Sequence, residues 1–247
     1  MIRLAHICRH PIKAHGREDL ASVLLSAGAC LPFDRHWAVA HEAAKLEAGW
    51  NPCANFTRGA KAPALMAITA ALEEDSLTVT LRHPERPDLR FRPDDPADLP
   101  GFLDWVRPLC PPERAQPARI VSAGRGMTDS EFPSVAVLSL ASLRDLSAKM
   151  GQDLSIHRWR GNLWLEHLPA WGEFSLIGRE LRIGDAVLRV EERITRCRAT
   201  MADPDTGRID GDTLTALAEN YGHRDFGVYA TVLHGGRIAL NDTVELR

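Results

Sequence analysis

Apolar residues in this chain come in short runs, and nearly every run is cut by glycine, proline or aspartate before a long helix could form. RLAHICRHPI, ASVLLSAGACLPFD and RHWAVAHEA open the chain. PALMAITAAL, SLTVTLRHP and LRFRP carry the pattern to Arg92, with Thr78 and Thr80 alternating with apolar neighbours. Such lengths and period-two patterning read as strands bounded by turns. VAVLS reads as a buried strand, and RWRGNLWLEH, ELRIGDAVLRVEERI, CRATMAD, YGHRDFGVYATVLHGGRIAL and DTVELR return to the strand pattern. LRIGDAVLRV and IALNDTVEL each place two apolar runs around a Gly-Asp or Asn-Asp turn, as a pair of barrel turns would. Many short strands at close spacing imply a barrel or sandwich. The expected fold is mainly β with a few helices: a C-terminal β-barrel domain preceded by a β-rich, barrel-like lobe.

Three segments depart from this pattern. DLPGFLDWVRPL (Asp98 to Leu109) offers Asp98 as a cap and Pro100 for a first helical turn. SLRDLSAKMG offers Ser142 as cap, Leu143 and Leu146 on one face, and Gly151 as stop. DTLTALAEN follows Asp212, a third cap candidate. The stretch 93–117 is rich in proline and acid, so the expected division is a lobe over 1–92, a linker with a short helix over 93–117, and a barrel domain over 118–247.

At 247 residues the chain can bury a core without metal or disulfide staples. The five cysteines are scattered singly, with no C-x-x-C pair, which argues against a zinc site or a disulfide framework. A net charge of −3 gives no overall field for nucleic acid or an anionic membrane, so any anion site must be local. No run nears the roughly 20 apolar residues that span a bilayer, and MIRLAHICRHPIK lacks the apolar core of a signal peptide. The expectation is a cytoplasmic protein that acts on a small molecule, with no nucleic-acid or membrane partner.

Only Cys197 has a distinctive charge setting, because Arg193, Arg196 and Arg198 lie close to it in sequence. Neighbouring cations favour a thiolate, the form that ligates a soft metal or attacks an electrophile. A small buried apolar residue beside solvated arginines would produce the same local sequence. The following MADPDTGRID adds a rigid turn, with Pro204 presetting φ and Gly207 supplying positive φ. His10, His15 and His41 fall near one another, but without metal-ligand spacing; His15 is a candidate proton donor on the substrate side.

TRCRATMADPDTGRID (Thr195 to Asp210) resembles the arginine-cysteine strand and D-P-x-T-G turn of the MOSC family, named for the C-terminal domain of molybdenum-cofactor sulfurase. The family includes amidoxime-reducing proteins. Three further stretches are similar to family segments in the same order: HPIKAHGRE with LPFDRHWAVAH, VLSLASLRDLSAKM with RWRGN, and FGVYATVLHGGRIALNDTVEL. The likeness covers nearly the whole chain and thins between Arg82 and Met127. It implies Cys197 as the protein ligand to molybdenum, with Lys13, Arg35, Arg160, Asn162, Arg196 and Tyr229 around the cofactor.

Those residue types suit a pterin that bears a phosphate: arginine offers a planar fork of donors, lysine a point charge, and asparagine both a donor and an acceptor. Two positions depart from the family pattern. Ala14 follows Lys13 where relatives carry a hydroxyl, and Gly161 replaces the proline of R-P-N. The resemblance implies a molybdenum-cofactor oxidoreductase that reduces N-hydroxylated or related compounds. With no cluster-binding cysteine set in the chain, its electrons would come from a separate ferredoxin- or flavoprotein-like donor. The alternative is a sulfur or cofactor carrier using a Cys197 persulfide; a third reading is a member that has lost the cofactor and only binds a partner.

Overall fold

The computed structural model describes residues 1–247. In chain order its strands are β1 (Arg3–Arg9), β2 (Ile12–Lys13), β3 (Glu18–Leu20), β4 (Ser22–Leu25), β5 (Trp37–His41), β6 (Thr69–Glu73), β7 (Thr78–His83), β8 (Arg86–Phe91) and β9 (Pro117–Ser122). The remainder are β10 (Val135–Ser139), β11 (Leu163–Glu166), β12 (Glu180–Ile183), β13 (Ala186–Thr195), β14 (Asp225–His234), β15 (Gly236–Ala239) and β16 (Val244–Leu246). Three α-helices accompany them: α1 (Leu99–Val106), α2 (Leu140–Met150) and α3 (Thr213–Tyr221). The fold is mainly β, as the patterning implies.

Eight strands form the principal sheet in the order β16-β12-β13-β14-β10-β11-β1-β3. Near its far ends the backbones meet again: Asn241 N–H donates to Leu4 O at 2.8 Å, Val244 N–H donates to Ile2 O at 3.0 Å, and Arg3 bridges Thr243. The sheet is rolled, and an isolated bridge rather than a full strand pair joins its ends. Smaller sheets, β2-β5-β9 and β6-β7-β8, surround a second core that contains Trp37, Phe91, Phe102 and Trp105.

The sheets do not divide at the expected linker. β1 and β3 belong to the sheet built otherwise from C-terminal strands, β4 pairs with β15, and β9 pairs back to β5. Strand pairing satisfies backbone groups wherever an edge is free, irrespective of chain order. The turn pair resolves unequally. β12 and β13 form the two-residue hairpin at Gly184-Asp185, whereas β15 and β16 part to pair with β4 and β12.

Helix ends follow local chemistry. Asp212 Oδ1 accepts from Thr215 N–H at 3.0 Å to cap α3, and Gly151 stops α2 at φ 62°. The cap of α2 is Ser139 rather than Ser142, because Ser139 still has the extended backbone of β10 and its hydroxyl faces Ser142 N–H at 3.4 Å. Asp98 precedes α1 but its carboxylate accepts from Arg92 N–H at 2.8 Å, leaving the helix uncapped by a side chain. CRATMAD is not a strand: Cys197 heads a 3-10 turn over Arg198–Met201, and the reversal closes through the bridge between Ala202 and Ile209.

Candidate functional site

A cavity of about 260 Å³ opens between the principal sheet and the N-terminal core. Its wall includes Lys13, Arg35, Arg160, Arg196, Cys197 and Tyr229, drawn from five separate parts of the chain. The backbone that presents them is unusual. Ala14, Arg35 and Arg160 all have positive φ, at 62°, 51° and 48°. Outside glycine such geometry costs roughly 1–2 kcal/mol per residue and persists where surrounding contacts over-determine it.

Contacts do so here. Asp34, completely buried, accepts from His10 N–H at 2.8 Å and forms an ion pair with Arg35. Burial opposes its ionisation, but the Arg35 guanidinium holds the Asp34 carboxyl well below the usual carboxylate range. A second Arg35 nitrogen donates to the Arg160 carbonyl at 2.8 Å, which fixes the Arg160 turn. Lys13, buried at the end of β2, donates to Met127 O at 2.7 Å and Asp129 Oδ1 at 2.6 Å. Burial pushes its ammonium pKa down against the pull of Asp129.

Burial, with Arg35 next in effect, lowers the Arg160 pKa to about 9. Arg196 donates to Phe226 O and Trp159 O, each at 2.8 Å, and lies 5.6 Å from the Trp159 ring centre; burial lowers its pKa to about 10. Two neighbours of one charge therefore face the cavity with burial opposing both. Their compensating acids are few: Asp34 and Asp129 stand against Lys13, Arg35, Arg160 and Arg196. That arrangement attracts an anion. Burial also raises the Tyr229 pKa to about 12, so its hydroxyl stays protonated.

Cys197 is solvent-exposed at the rim, where its carbonyl accepts from Thr200 N–H at 3.2 Å and from the Thr200 hydroxyl at 3.1 Å. Of the three flanking arginines only Arg196 faces the cavity. Arg193 lies 4.2 Å from the Phe174 ring centre and 3.8 Å from Asp225. Asn162 does not line the wall. Its amide accepts from Ala136 N–H at 3.0 Å and donates to Cys8 O at 3.2 Å, a rung between β1 and β10. His15 is buried against Phe102, its pKa lowered to about 4 by burial, and it does not reach the cavity as a proton donor.

Sequence reasoning missed Asp129, Arg158, Cys53 and Arg58, all on the wall. Arg158 forks onto Asp210 at 2.6 and 2.5 Å, and Arg58 donates to the Cys53 sulfur at 2.9 Å. The signal for the last pair was the unpatterned NFTRGAKAP, whose small residues permit close approach: a Cβ on Gly59 would meet the Met66 sulfur at 2.6 Å. Gly161 also has its reason, since a Cβ there would stand 2.2 Å from Leu138, leaving no room for a proline ring.

The cavity and sheets define a mainly β protein with a cationic pocket whose wall holds two cysteines, half-buried Cys53 and exposed Cys197. The chain belongs to the MOSC family: the MOSC N-terminal beta barrel domain matches residues 1–100 and the MOSC domain residues 129–245. Over 122 residues it is 30% identical to mitochondrial amidoxime reducing component 2 of Bos taurus, covering 44% of this chain and 36% of that protein. Over 168 residues it is 27% identical to mitochondrial amidoxime-reducing component 1 of Homo sapiens, covering 63% and 48%. The chain thus spans less than half the length of these relatives. Among solved structures, the YUAD protein from Bacillus subtilis is similar over 100% of this chain and 96% of its own, at 11% identity and a TM-score of 0.48. Family membership ties the chain to molybdenum-cofactor-associated function. No helix is long and apolar enough to cross a membrane.

Proposed function

We propose that this protein binds the molybdenum cofactor in the cationic cavity, with Cys197 as the protein ligand to molybdenum, and reduces N-hydroxylated or related small molecules there. The observation that carries this reading is the excess of cations, buried Lys13 with half-buried Arg35, Arg160 and Arg196 against Asp34 and Asp129, in one cavity with a cysteine at its rim. The donor set fits a phosphate-bearing pterin. Trp159 adds a buried indole N–H with no partner in the chain. When bound, the cofactor supplies two-electron redox chemistry.

The chain's own residues bind and orient. Lys13, Arg35 and Arg160 would hold the phosphate, charge-assisted bonds being the strong ones. Arg196 is locked by two carbonyls and keeps positive charge beside Cys197, while Tyr229 offers a protonated hydroxyl. Asn162 acts from behind, by tying β1 to β10. Electrons would arrive from a separate ferredoxin- or flavoprotein-like protein. Protein purified from a cofactor-producing host should contain molybdenum and reduce an amidoxime with an artificial donor, and Cys197→Ser should lose both. Absence of molybdenum in the unaltered protein, or unchanged content in Cys197→Ser, overturns the proposal.

The exposure of Cys197 favours one second reading, a carrier that holds a persulfide on that sulfur and passes it or the cofactor onward. Intact-mass spectrometry separates the two: a reducible gain of one sulfur at Cys197, without reductase turnover, supports the carrier.

A further inference from the structure

Away from the cavity, Cys8 of β1 and Asp19 of β3 are direct cross-strand partners, and the Cys8 sulfur lies 3.2 Å from Asp19 Oδ1. His157 comes from the 3-10 turn Ile156–Trp159, and its Nε2 stands 3.8 Å from Asp19 Oδ2. One ligand atom from each of the three residues lies within 4.8 Å of the other two. The Cys8–Asp19 contact by itself would be an ordinary buried thiol bonded to a carboxylate. It leaves the imidazole unexplained: His157 Nδ1 is shielded from solvent with no hydrogen-bond partner, and Nε2 is beyond bonding distance of Asp19.

Sulfur, imidazole nitrogen and carboxylate oxygen together are the donor set of zinc. Around a tetrahedral zinc, with bonds of about 2.0–2.3 Å, ligand atoms lie roughly 3.3–3.6 Å apart. Closing the cluster to that spacing takes a shift of about 1 Å, within reach of side-chain rotation. Asp19 and His157 have the freedom to make it, with side chains 62% and 21% exposed, while Cys8 is fixed at 1%. One thiolate and one carboxylate neutralise a divalent ion. The nearby Arg17 acts on both Cys8 and His157, favouring the Cys8 thiolate that a metal needs, and part of its charge is met by Asp205 at 3.2 Å. A fourth position falls to water or to His6, which shares the Cys8 face of β1 by strand alternation.

We propose that Cys8, Asp19 and His157 form a binding site for a zinc-class divalent cation, separate from the cavity. Binding releases the Cys8 thiol proton to solvent and involves no electron transfer. Its position gives it a structural consequence. β1 leads into Lys13, and His157 precedes Arg160 by one turn, so the ion staples together the two segments that bring those cations to the cavity. The scattered cysteines concealed this, since only pairing of β1 with β3 and the return of the chain at His157 assemble the ligands.

The test is titration of the metal-free full chain with Co²⁺, in a Cys53→Ser, Cys197→Ser background that removes the cavity thiols. About one equivalent should bind with a thiolate-to-cobalt absorption band, and Zn²⁺ should displace it. The band should vanish in Cys8→Ser, and affinity should fall about tenfold or more in His157→Ala and Asp19→Asn. Absence of a thiolate band, or its persistence in Cys8→Ser, overturns the proposal. Should Cys8→Ser fail to fold, the two partly exposed ligands decide: unchanged affinity in both His157→Ala and Asp19→Asn overturns it equally, and loss in either with an intact thermal melt supports it.

Discussion

The same strands of the principal sheet build two faces to opposite rules. On β10, Val135 and Val137 enter one cluster while Ala136 and Leu138 enter another; on β14, Val228, Ala230 and Val232 take the first side and Tyr229 the second. The first cluster holds 20 buried residues, all of them aliphatic. The second brings in Trp159, Trp164 and Phe226, and beside it lie the half-buried Arg196 guanidinium and the cavity. Two of the three register breaks between β13 and β14 fall at this end, between Val190 and Glu192 and between Arg193 and Thr195. At Gly227, φ is 77°, and a Cβ would meet Leu138 at 2.6 Å. Close aliphatic packing on one face supplies the stability that lets the other carry positive φ and half-buried charge.

The largest effect should therefore come from the aliphatic face. Leu188 is fully buried within it, so Leu188→Ala should destabilise by about 3–4 kcal/mol, the range of a lost buried isobutyl group plus the cavity it leaves. Denaturant unfolding measures this. A loss under about 1 kcal/mol would mean that the first face is not what holds the sheet.

Much of that division was legible in sequence, because alternation is a local signal: VAVLS and FGVYATVLH already separate their odd and even residues. The stop of α2 and the cap of α3 were legible for the same reason. What sequence could not convey was which strand lies beside which. β1 pairs with β11 more than 150 residues away, and nothing local encodes that. Charge density near Cys197 also misled in one respect, since strand geometry sends Arg193 to Phe174 and only Arg196 inward. Asn162 matched a family position, yet its two polar ends are both spent on backbone. Asp129, the partner of Lys13, sits in a stretch with no periodic pattern to mark it.

A smaller effect tests the polar side of the comparison. Glu173 is fully buried, accepting from the Ser142 hydroxyl at 2.7 Å while its other oxygen has no partner. Burial raises its pKa from an ordinary 4.5 to about 7, so the folded state favours the neutral acid. The stability this confers is fully present below about pH 4.5 and is lost as pH rises through 7. Glu173→Gln, which cannot ionise, should be more stable than the unaltered protein at pH 8 by about 2–3 kcal/mol and should differ little at pH 4.5. Equal stability of the two proteins at both pH values would show that the charge on this side carries no cost.

The smallest effect is the most specific to the cavity. Arg160 combines positive φ with a half-buried charge facing Arg35, and its side chain returns to the fold only one long bond, to Ile12 O at 3.5 Å. Glycine at this position relieves the backbone and removes the charge, while the Arg160 carbonyl that accepts from Arg35 belongs to the main chain and survives the substitution. Arg160→Gly should therefore raise stability by about 1 kcal/mol in anion-free buffer, against the usual loss when a contacting side chain is deleted. In exchange, the rise in melting temperature that inorganic phosphate gives the unaltered protein should shrink or vanish, because an anion that binds only the folded state stabilises it in proportion to its affinity. If instead Arg160→Gly melts lower and keeps the full phosphate response, Arg160 is a packing residue, and the two faces of the sheet differ in shape but not in purpose.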